Sequence, residues 1–298
     1  MQLEIRGVSK TYGDDVRALN DVTLTVPPGM FGLLGPNGAG KSTLMRILAT
    51  LQEPDSGEVR LGDIDVLREK ARAREVLGYL PQEFGVYPGV SAEKLLDHFA
   101  VLEGIGDKRQ RAQVVEALLR RTNLWDVRRK KLGGYSGGMR QRFGVALALL
   151  GDPRLLIVDE PTAGLDPAER VRFLNLLSEL GERSVVLLST HIVDDVAELC
   201  TRMAIIRRGE ILLEAEPGRA VRALHGRIWR REVPREELPA FELAHAVIST
   251  RLMAGRTIAH VYADASPGAD FEPVEADLED VYFSVMSGHH AGAVPQAA

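Results

Sequence analysis

The stretch GLLGPNGAGKSTLMRIL, residues 32–48, limits the possible folds of this 298-residue chain more than any other segment. Three glycines and a proline separate a short apolar run from a segment whose apolar residues recur with helical spacing. Residues 35–42 match G-x-x-x-x-G-K-[ST], a loop that follows a strand and opens a helix. Backbone N–H groups of such a loop converge on phosphate oxygens, and the helix N-terminus adds its positive dipole end. The sequence therefore predicts a strand, loop and helix that bind a nucleoside triphosphate.

The chemistry of this phosphate loop assigns roles to its residues. Lys41 is predicted to reach the β and γ oxygens of the triphosphate, and Ser42 to ligate Mg²⁺. The nucleotide is expected to contact the whole loop, which consists of Gly35, Pro36, Asn37, Gly38, Ala39, Gly40, Lys41, Ser42 and Thr43. Mg²⁺ is accordingly predicted as the cofactor that accompanies the nucleotide.

A second constellation, LLIVDE at residues 155–160, supplies carboxylates that the phosphate loop lacks. Its four apolar residues predict a buried strand whose carboxyl end delivers Asp159 towards Mg²⁺. Glu160 is then placed to polarise an attacking water as a general base. Two adjacent carboxylates at a strand end commonly belong to a solvated turn, but the phosphate loop upstream favours the catalytic interpretation.

A third motif, YSGGMRQ at residues 135–141, again places a glycine pair before an apolar helix. By itself this pattern is usually a turn or a helix cap. Here it gives the chain a second helix N-terminus that presents bare N–H groups to an anion. A single nucleotide needs only one such cradle, so the two motifs raise the question of how both are used.

The rest of the pattern predicts an α/β protein with helical and α+β additions. Residues 3–8 and 22–26 flank a polar turn at 12–15 and predict an antiparallel β start. Residues 91–150 have an almost wholly helical pattern, and two strands at 155–158 and 185–189 enclose a helix, which predicts a largely parallel sheet. Beyond about residue 214 the predicted elements are strands at 226–233, 244–253 and 257–263 and helices at 235–242 and 275–286.

Composition restricts the function classes. The net charge of −5 argues against a broad nucleic-acid-binding surface, so no nucleic acid is expected as a partner. No apolar run approaches the roughly 20 residues that span a bilayer, so a membrane role would need a partner chain. Cys200 is the only cysteine, which excludes an internal disulfide, and the first residues lack signal-peptide features. These observations predict a cytoplasmic location.

Together, GPNGAGKST, YSGGM, LLIVDEPTAGLD and STH resemble, in this order and spacing, the nucleotide-binding domain of ABC transporters. The resemblance covers residues 1–214. It implies an α/β P-loop NTPase fold of the ABC type, with a mixed sheet core, an antiparallel β subdomain and an all-helical subdomain at about 84–150. In that family two domains associate head to tail and trap two ATP molecules between them, which would use both glycine motifs.

The resemblance also implies roles for single residues. Ser136, Gly137 and Gly138 would contact the γ-phosphate bound by the partner chain of a homodimer. Tyr12 would stack on adenine, and Gln82 would sense Mg²⁺ and water beside a transmembrane partner. Asp166 would communicate across the dimer, and His191 would contact the γ-phosphate. Each has a structural alternative: a strand-end aromatic, a surface amide, a helix N-cap and a core histidine, respectively.

The region after the cassette carries a more specific likeness. VEADLEDVYFSVMSG, residues 274–288, resembles the ending of ATPases from ABC exporters of drugs, lipids, polysaccharides or sodium. The alternative is an amphipathic core stripe without functional content. Residues 215–287 are therefore predicted as a small α+β C-terminal domain, and residues 288–298 as a disordered tail.

The favoured function is an ATPase subunit that drives a separate transmembrane permease, an exporter, at the inner face of the cell membrane. One alternative is a soluble ABC ATPase acting on nucleic acid or ribosomes. Another is a regulatory module that binds ATP without hydrolysing it. The presence of both Glu160 and His191 argues against this alternative. Two positions depart from the usual signature, Tyr135 in place of Leu and Met139 in place of Gln, while the serine and glycines are intact.

Overall fold

The computed structural model describes residues 1–181 and 184–289. The strands are β1 (Leu3–Tyr12), β2 (Val16–Val26), β3 (Gly29–Leu34), β4 (Ser56–Leu61), β5 (Ile64–Asp65), β6 (Leu77–Leu80), β7 (Leu155–Asp159), β8 (Val185–Thr190), β9 (Arg202–Arg207), β10 (Glu210–Ala215), β11 (Ile228–Glu232), β12 (Val247–Met253), β13 (Arg256–Tyr262) and β14 (Glu272–Pro273). The helices are α1 (Lys41–Leu48), α2 (Lys70–Arg74), α3 (Ala92–Leu102), α4 (Lys108–Arg121), α5 (Gly137–Ala148), α6 (Pro167–Gly181), α7 (Val193–Leu199), α8 (Pro217–Ala223), α9 (Leu238–Ala244) and α10 (Leu278–Met286). In these two described ranges, every helix is too short or too polar to cross a membrane.

The central sheet has the order β10-β9-β3-β8-β7-β6, and only the edge strand β10 runs antiparallel to its neighbour. β7 and β8 are buried at every residue, as expected for parallel strands covered on both faces. Leu34 lies beside Thr190 in the register, and Asp159 lies beside Ser189. The loops that follow β3, β7 and β8 therefore meet at one end of the sheet.

The predicted antiparallel β start is confirmed as a separate sheet with the order β2-β1-β4-β5. The predicted polar turn forms a short 3₁₀ turn at Gly13–Asp15. The apolar face of this sheet shares one core with α1 and with one face of the central sheet. This packing holds the phosphate loop, which lies between β3 and α1, against both sheets.

The predicted helical subdomain contains α3, α4 and α5 around a core of its own. Phe84 packs against both this core and the core beneath the central sheet, whereas Tyr87 is 65% exposed. Tyr135 is buried in the helical core and its hydroxyl donates to the carbonyl of Val127 at 3.0 Å. Burial raises the pKa of Tyr135 to about 12. The departure from Leu at this position thus places an aromatic ring in the core, with its hydroxyl satisfied.

The C-terminal region forms a third sheet, β12-β13-β11-β14, together with α8, α9 and α10. Its strands agree with the α+β prediction. Leu278, Val281 and Val285 of α10 belong to the same buried cluster as Leu34 and Leu188 of the central sheet. The C-terminal helix therefore completes the core beneath the nucleotide end of the sheet.

Some elements differ from the sequence-based expectation. β9, β10 and α7 occupy residues for which no element was predicted, and α9 begins three residues later than expected. The proline at residue 239 accounts for the later start of α9, because proline is tolerated in the first turn and not in a helix interior. Of the predicted tail, residues 290–298 lie outside the described part of the chain.

Candidate nucleotide-binding site

Lys41, the first residue of α1, is only 4% exposed, although it is a lysine. Its Nζ donates to the carbonyl oxygen of Gly35 at 2.7 Å and to that of Pro36 at 3.2 Å. A third partner is Glu160, whose Oε1 lies 3.1 Å from Nζ. Since a buried ammonium must have its three donors satisfied, the phosphate loop curls around Lys41. Phosphate oxygens placed in the loop would face the same charge.

Two glycines of the loop are required by its geometry. A Cβ on Gly35 would lie 2.4 Å from the carbonyl oxygen of Ile206, and a Cβ on Gly40 would lie 2.4 Å from that of Ala18. Gly40 also has a φ of +105°, where a side chain is strained. The backbone of the loop thus packs directly on neighbouring backbone.

Glu160 lies between Lys41 and His191. Its Oε2 is 2.7 Å from Nδ1 of His191, and its side chain is 7% exposed. An ionised carboxylate only accepts hydrogen bonds, so Nδ1 of His191 carries the proton in this pair. The His191 side chain is 43% exposed, which excludes its reading as a core histidine. A carboxylate held at both oxygens beside the phosphate loop is suited to orient a water for attack.

Asp159 is buried at the carboxyl end of β7 and accepts a hydrogen bond from Ser189 Oγ at 2.6 Å. Ser42 opens α1 beside Lys41. Gln82 is exposed and lies two residues beyond β6, whose last residue Leu80 pairs with Val158 of β7. These three sequence-predicted metal ligands therefore follow or adjoin strands that end on the same side of the sheet.

Tyr12 ends β1 and is partly exposed. Its hydroxyl lies 3.3 Å from Oγ1 of Thr43, and Gln52 Nε2 donates to it at 2.8 Å. These bonds tie the ring to the first turn of α1, immediately after the phosphate loop. Tyr12 is thereby located where an aromatic face can meet a base attached to phosphates in the loop.

The signature residues begin α5. Ser136 is the N-cap, and its Oγ accepts a hydrogen bond from the N–H of Met139 at 3.1 Å. No heavy atom lies within 4 Å of a Cβ built on Gly137. Gly138 is different, because a Cβ there would lie 2.3 Å from Oε2 of Glu169 in α6. The two adjacent glycines thus face open space and a neighbouring helix, respectively.

Asp166 precedes α6 and accepts a hydrogen bond from the N–H of Glu169 at 2.9 Å. It therefore fulfils the structural alternative of a helix N-cap, and a second role across a dimer stays a prediction. Glu169 in turn pairs with Arg142 of α5 at 3.1 Å. This pair joins the helix after the signature to the helix after Asp166.

A polar cluster next to this site was not apparent from the sequence; it consists of the buried Thr162, Thr190 and Asp195 and the partly exposed Arg170. Asp195 is fully buried although it is charged. Nothing in the sequence distinguishes it from its neighbours Asp194 and Glu198, which also lie on α7. Only the packing of α7 on the sheet reveals it.

A parallel sheet with a glycine-rich loop at the carboxyl end of one strand and carboxylates at the end of another defines a P-loop nucleotide-binding protein. The sequence profile described as "ABC transporter" matches residues 19–163. The probable multidrug ABC transporter ATP-binding protein YbhF of Escherichia coli K12 is 31% identical over 99% of this chain. This chain spans 54% of the length of YbhF.

Two further relatives agree. The daunorubicin/doxorubicin resistance ATP-binding protein DrrA of Streptomyces peucetius is 33% identical, over 90% of this chain and 79% of its own length. The dimeric ATP-binding cassette MJ0796, solved in a post-hydrolysis state with ADP and Pi, matches with a TM-score of 0.65 and 26% identity. That match covers 72% of this chain and 98% of the other.

The chain therefore belongs to the ABC transporter family. The predicted family and fold class are confirmed. The alternative of a soluble ATPase acting on nucleic acid or ribosomes is not favoured by these relatives. The residue roles at the site stay predictions, which the geometry described above supports.

Proposed function

We propose that this chain binds ATP with Mg²⁺, pairs with a second copy around two nucleotides, and uses hydrolysis to drive a separate membrane permease that exports its cargo. The observation that carries the catalytic part is the fixed position of Glu160, held by Lys41 on one oxygen and by His191 on the other. A group restrained in this way needs little reorganisation before it acts as a base.

The donor set fits Mg²⁺. Asp159, Ser42 and Gln82 offer carboxylate, hydroxyl and amide oxygens, the hard ligands that Mg²⁺ takes together with substrate phosphates. Within residues 1–181 and 184–289 no cluster of three or more His, Cys, Asp or Glu could hold a metal by itself. That agrees with a cation that arrives with the nucleotide. When bound, Mg²⁺ would neutralise charge on the phosphates.

Glu160 accepts the proton of the attacking water as the general base. Lys41 stabilises the negative charge that develops on the γ-phosphate oxygens. His191 holds the carboxylate through Nδ1–H and so keeps its other oxygen directed at the loop. Tyr12 stacks on the adenine.

The homodimer is supported by the open face of Gly137. Its N-terminal position on α5 presents backbone N–H groups to solvent, and nothing in the described chain covers it. A second copy, placed head to tail, would bring its bound γ-phosphate to Ser136, Gly137 and Gly138. The dimeric form of the structurally similar cassette MJ0796 is consistent with this arrangement.

The permease partner is supported by the surface between the helical subdomain and the edge strand β6. A groove of about 220 Å³ lies there, lined in part by Leu77, Phe99 and Leu147. Gln82 and the exposed Tyr87 lie on the segment that joins β6 to the helical subdomain. Docking at this surface would hold the chain at the cytoplasmic face of a membrane.

The test compares wild type with Glu160→Gln and Lys41→Ala, and uses Glu216→Gln, an exposed carboxylate outside the site, as the control. Glu160→Gln is expected to abolish Mg²⁺-dependent hydrolysis and to retain ATP binding, whereas Lys41→Ala loses binding. Light scattering should show Glu160→Gln dimeric with ATP and monomeric with ADP, since only the γ-phosphate bridges the halves. Hydrolysis at the wild-type rate in Glu160→Gln would remove Glu160 from the role of base.

A further inference from the structure

Asp195 is a fully buried carboxylate that the catalytic chemistry above does not use. Its Oδ1 accepts from Nε of Arg170 at 2.8 Å. Its Oδ2 accepts from Oγ1 of Thr190 at 3.2 Å and from Oγ1 of Thr162. Both oxygens are therefore satisfied, and each donor comes from a different segment of the chain.

These three donors belong to the segments that carry the predicted catalytic and dimer-contact residues. Thr162 is two residues after Glu160, and Thr190 directly precedes His191. Arg170 lies in α6, one turn after Asp166, and its N–H bonds to the Asp166 carbonyl. One buried carboxylate thus joins the loop of the general base, the strand end before the histidine and the helix after the dimer-facing loop.

The hydroxyl of Thr190 has a second bond that extends this connection. While it donates to Asp195, it accepts from the backbone N–H of Ile192 at 3.0 Å. The bond from Ile192 closes a turn around His191, and the bond to Asp195 anchors that turn. Removing the hydroxyl would release the turn on which His191 sits without changing any atom of the imidazole.

The backbone of Glu160 shows why such a restraint is needed. Glu160 has a φ of +49°, in the left-handed region that residues other than glycine rarely adopt. Its N–H bonds to the carbonyl of Ser189 at 2.9 Å. A strained residue keeps its conformation only when its surroundings over-determine it. Thr162, anchored to Asp195, fixes the chain on the other side of Glu160.

We propose that Asp195 is a positioning residue for ATP hydrolysis, which fixes the Glu160–His191 pair through Thr162 and Thr190 and ties that pair to α6 through Arg170. This rests on the proposed function of Glu160 as the base. A buried ion pair is a weak source of stability, because desolvation offsets its attraction. The Asp195–Arg170 pair instead helps to hold the segments that carry Glu160 and His191 in one fixed arrangement.

The test uses small changes that leave the carboxylate in place. Thr190→Val and Thr162→Val remove the hydroxyl donors, and Thr190→Ser and Thr162→Ser retain them. The valine variants are expected to lower kcat for ATP by at least about tenfold, because a misplaced catalytic group costs that much or more. KM is expected to stay within about twofold, since the phosphate loop is untouched, and the serine variants should recover wild-type kcat.

Asp195→Asn removes the charge opposite Arg170 and is compared with Asp280→Asn. Asp280 is as deeply buried, lies 2.8 Å from Nδ1 of His260, and accepts a hydrogen bond from the backbone N–H of Asp277, the N-cap of α10. Both variants are expected to melt at lower temperature, but only Asp195→Asn should lower kcat measured per folded molecule. Equal kcat in Thr190→Val, Thr162→Val and wild type would overturn the proposal. Absence of hydrolysis in wild type itself would instead refute the proposed function.

Discussion

Gly137 and Gly138 are neighbours in one motif, yet the structure predicts opposite consequences for changing them to alanine. A Cβ on Gly137 meets no heavy atom within 4 Å, and its φ lies outside the left-handed region. A Cβ on Gly138 would lie 2.3 Å from Oε2 and 2.8 Å from Cδ of Glu169. The first change adds a methyl group to an open surface, whereas the second displaces a side chain.

The loss of stability in Gly138→Ala follows from the ion pair of Glu169 that the new methyl group would disturb. Its carboxylate is 3.1 Å from Arg142, and both side chains are largely buried between α5 and α6. The Glu169 carboxylate can rotate away from the new methyl only by weakening this pair. Overpacking of this kind costs about 1–3 kcal/mol of unfolding free energy. Each kcal/mol lowers Tm by roughly 2–4 °C in a domain of about 150–250 residues.

Gly137→Ala is expected to leave the unfolding free energy unchanged or to raise it by about 0.4–1 kcal/mol, because alanine has less backbone freedom in the unfolded chain. Its effect should appear in function instead. A methyl group on the open face would stand between the α5 N-terminus and a phosphate from the partner. Hydrolysis and ATP-dependent dimerisation should therefore fall while the fold is intact.

The assay pairs thermal denaturation with steady-state hydrolysis for both variants, and adds Glu169→Ala alone and combined with Gly138→Ala. Removing Glu169 also removes the clash, so the double variant should lose less stability than the two single losses added together. Additive losses, or a Gly138→Ala protein as stable as wild type, would refute the packing argument. Full hydrolysis and dimerisation in Gly137→Ala would show that its open face is not the phosphate contact.

Two further predictions concern an exposed ring and a buried thiol. Tyr87→Ala should leave basal hydrolysis and Tm close to wild type and weaken capture of the permease in detergent. Phe84→Ala should lower the unfolding free energy and Tm clearly more than Tyr87→Ala, because the partly buried Phe84 packs against two cores. A clearly lower Tm with unchanged permease binding in Tyr87→Ala would contradict the proposal that this segment docks the permease. Desolvation, with a smaller contribution from Asp195, raises the pKa of Cys200 from 9.0 to about 12. Since folding favours the neutral thiol, its contribution to stability is complete below pH 9 and is lost as pH rises towards 12. Alkylation at pH 8 should require unfolding, and rapid labelling of the native protein would contradict this burial.

The motifs with local spacing could be predicted from the sequence because their chemistry is contained in a few consecutive residues. The phosphate loop, Asp159 and Glu160 each follow an apolar strand, and the sheet then brings them together. The difference in surroundings between Gly137, which faces open space, and Gly138, which contacts Glu169, could not be predicted, since it depends on which glycine faces α6. Asp195 likewise looks like any acidic residue on a short helix until α7 packs against the sheet.

Some misses have a physical reason in the chain itself. β9 and β10 carry arginine and glutamate at their ends, so their apolar runs are short and resemble other buried segments. The late start of α9 had a visible signal in Pro239. The roles of Tyr12 and Asp166 had strong structural alternatives, and the structure shows that Asp166 serves as an N-cap whatever else it contacts.

The position of α10 in the core has a consequence for how the protein is made. Leu278, Val281 and Val285 close a cluster that begins with Met30 and Leu34, some 250 residues earlier in the chain. Until residue 286 has left the ribosome, α6, α7 and α8 contribute to this cluster but the side chains that pack against α10 stay uncovered, open to chaperones or to aggregation. Synthesis halted or cleaved before α10 should therefore yield an aggregation-prone species even though every nucleotide motif has already been made.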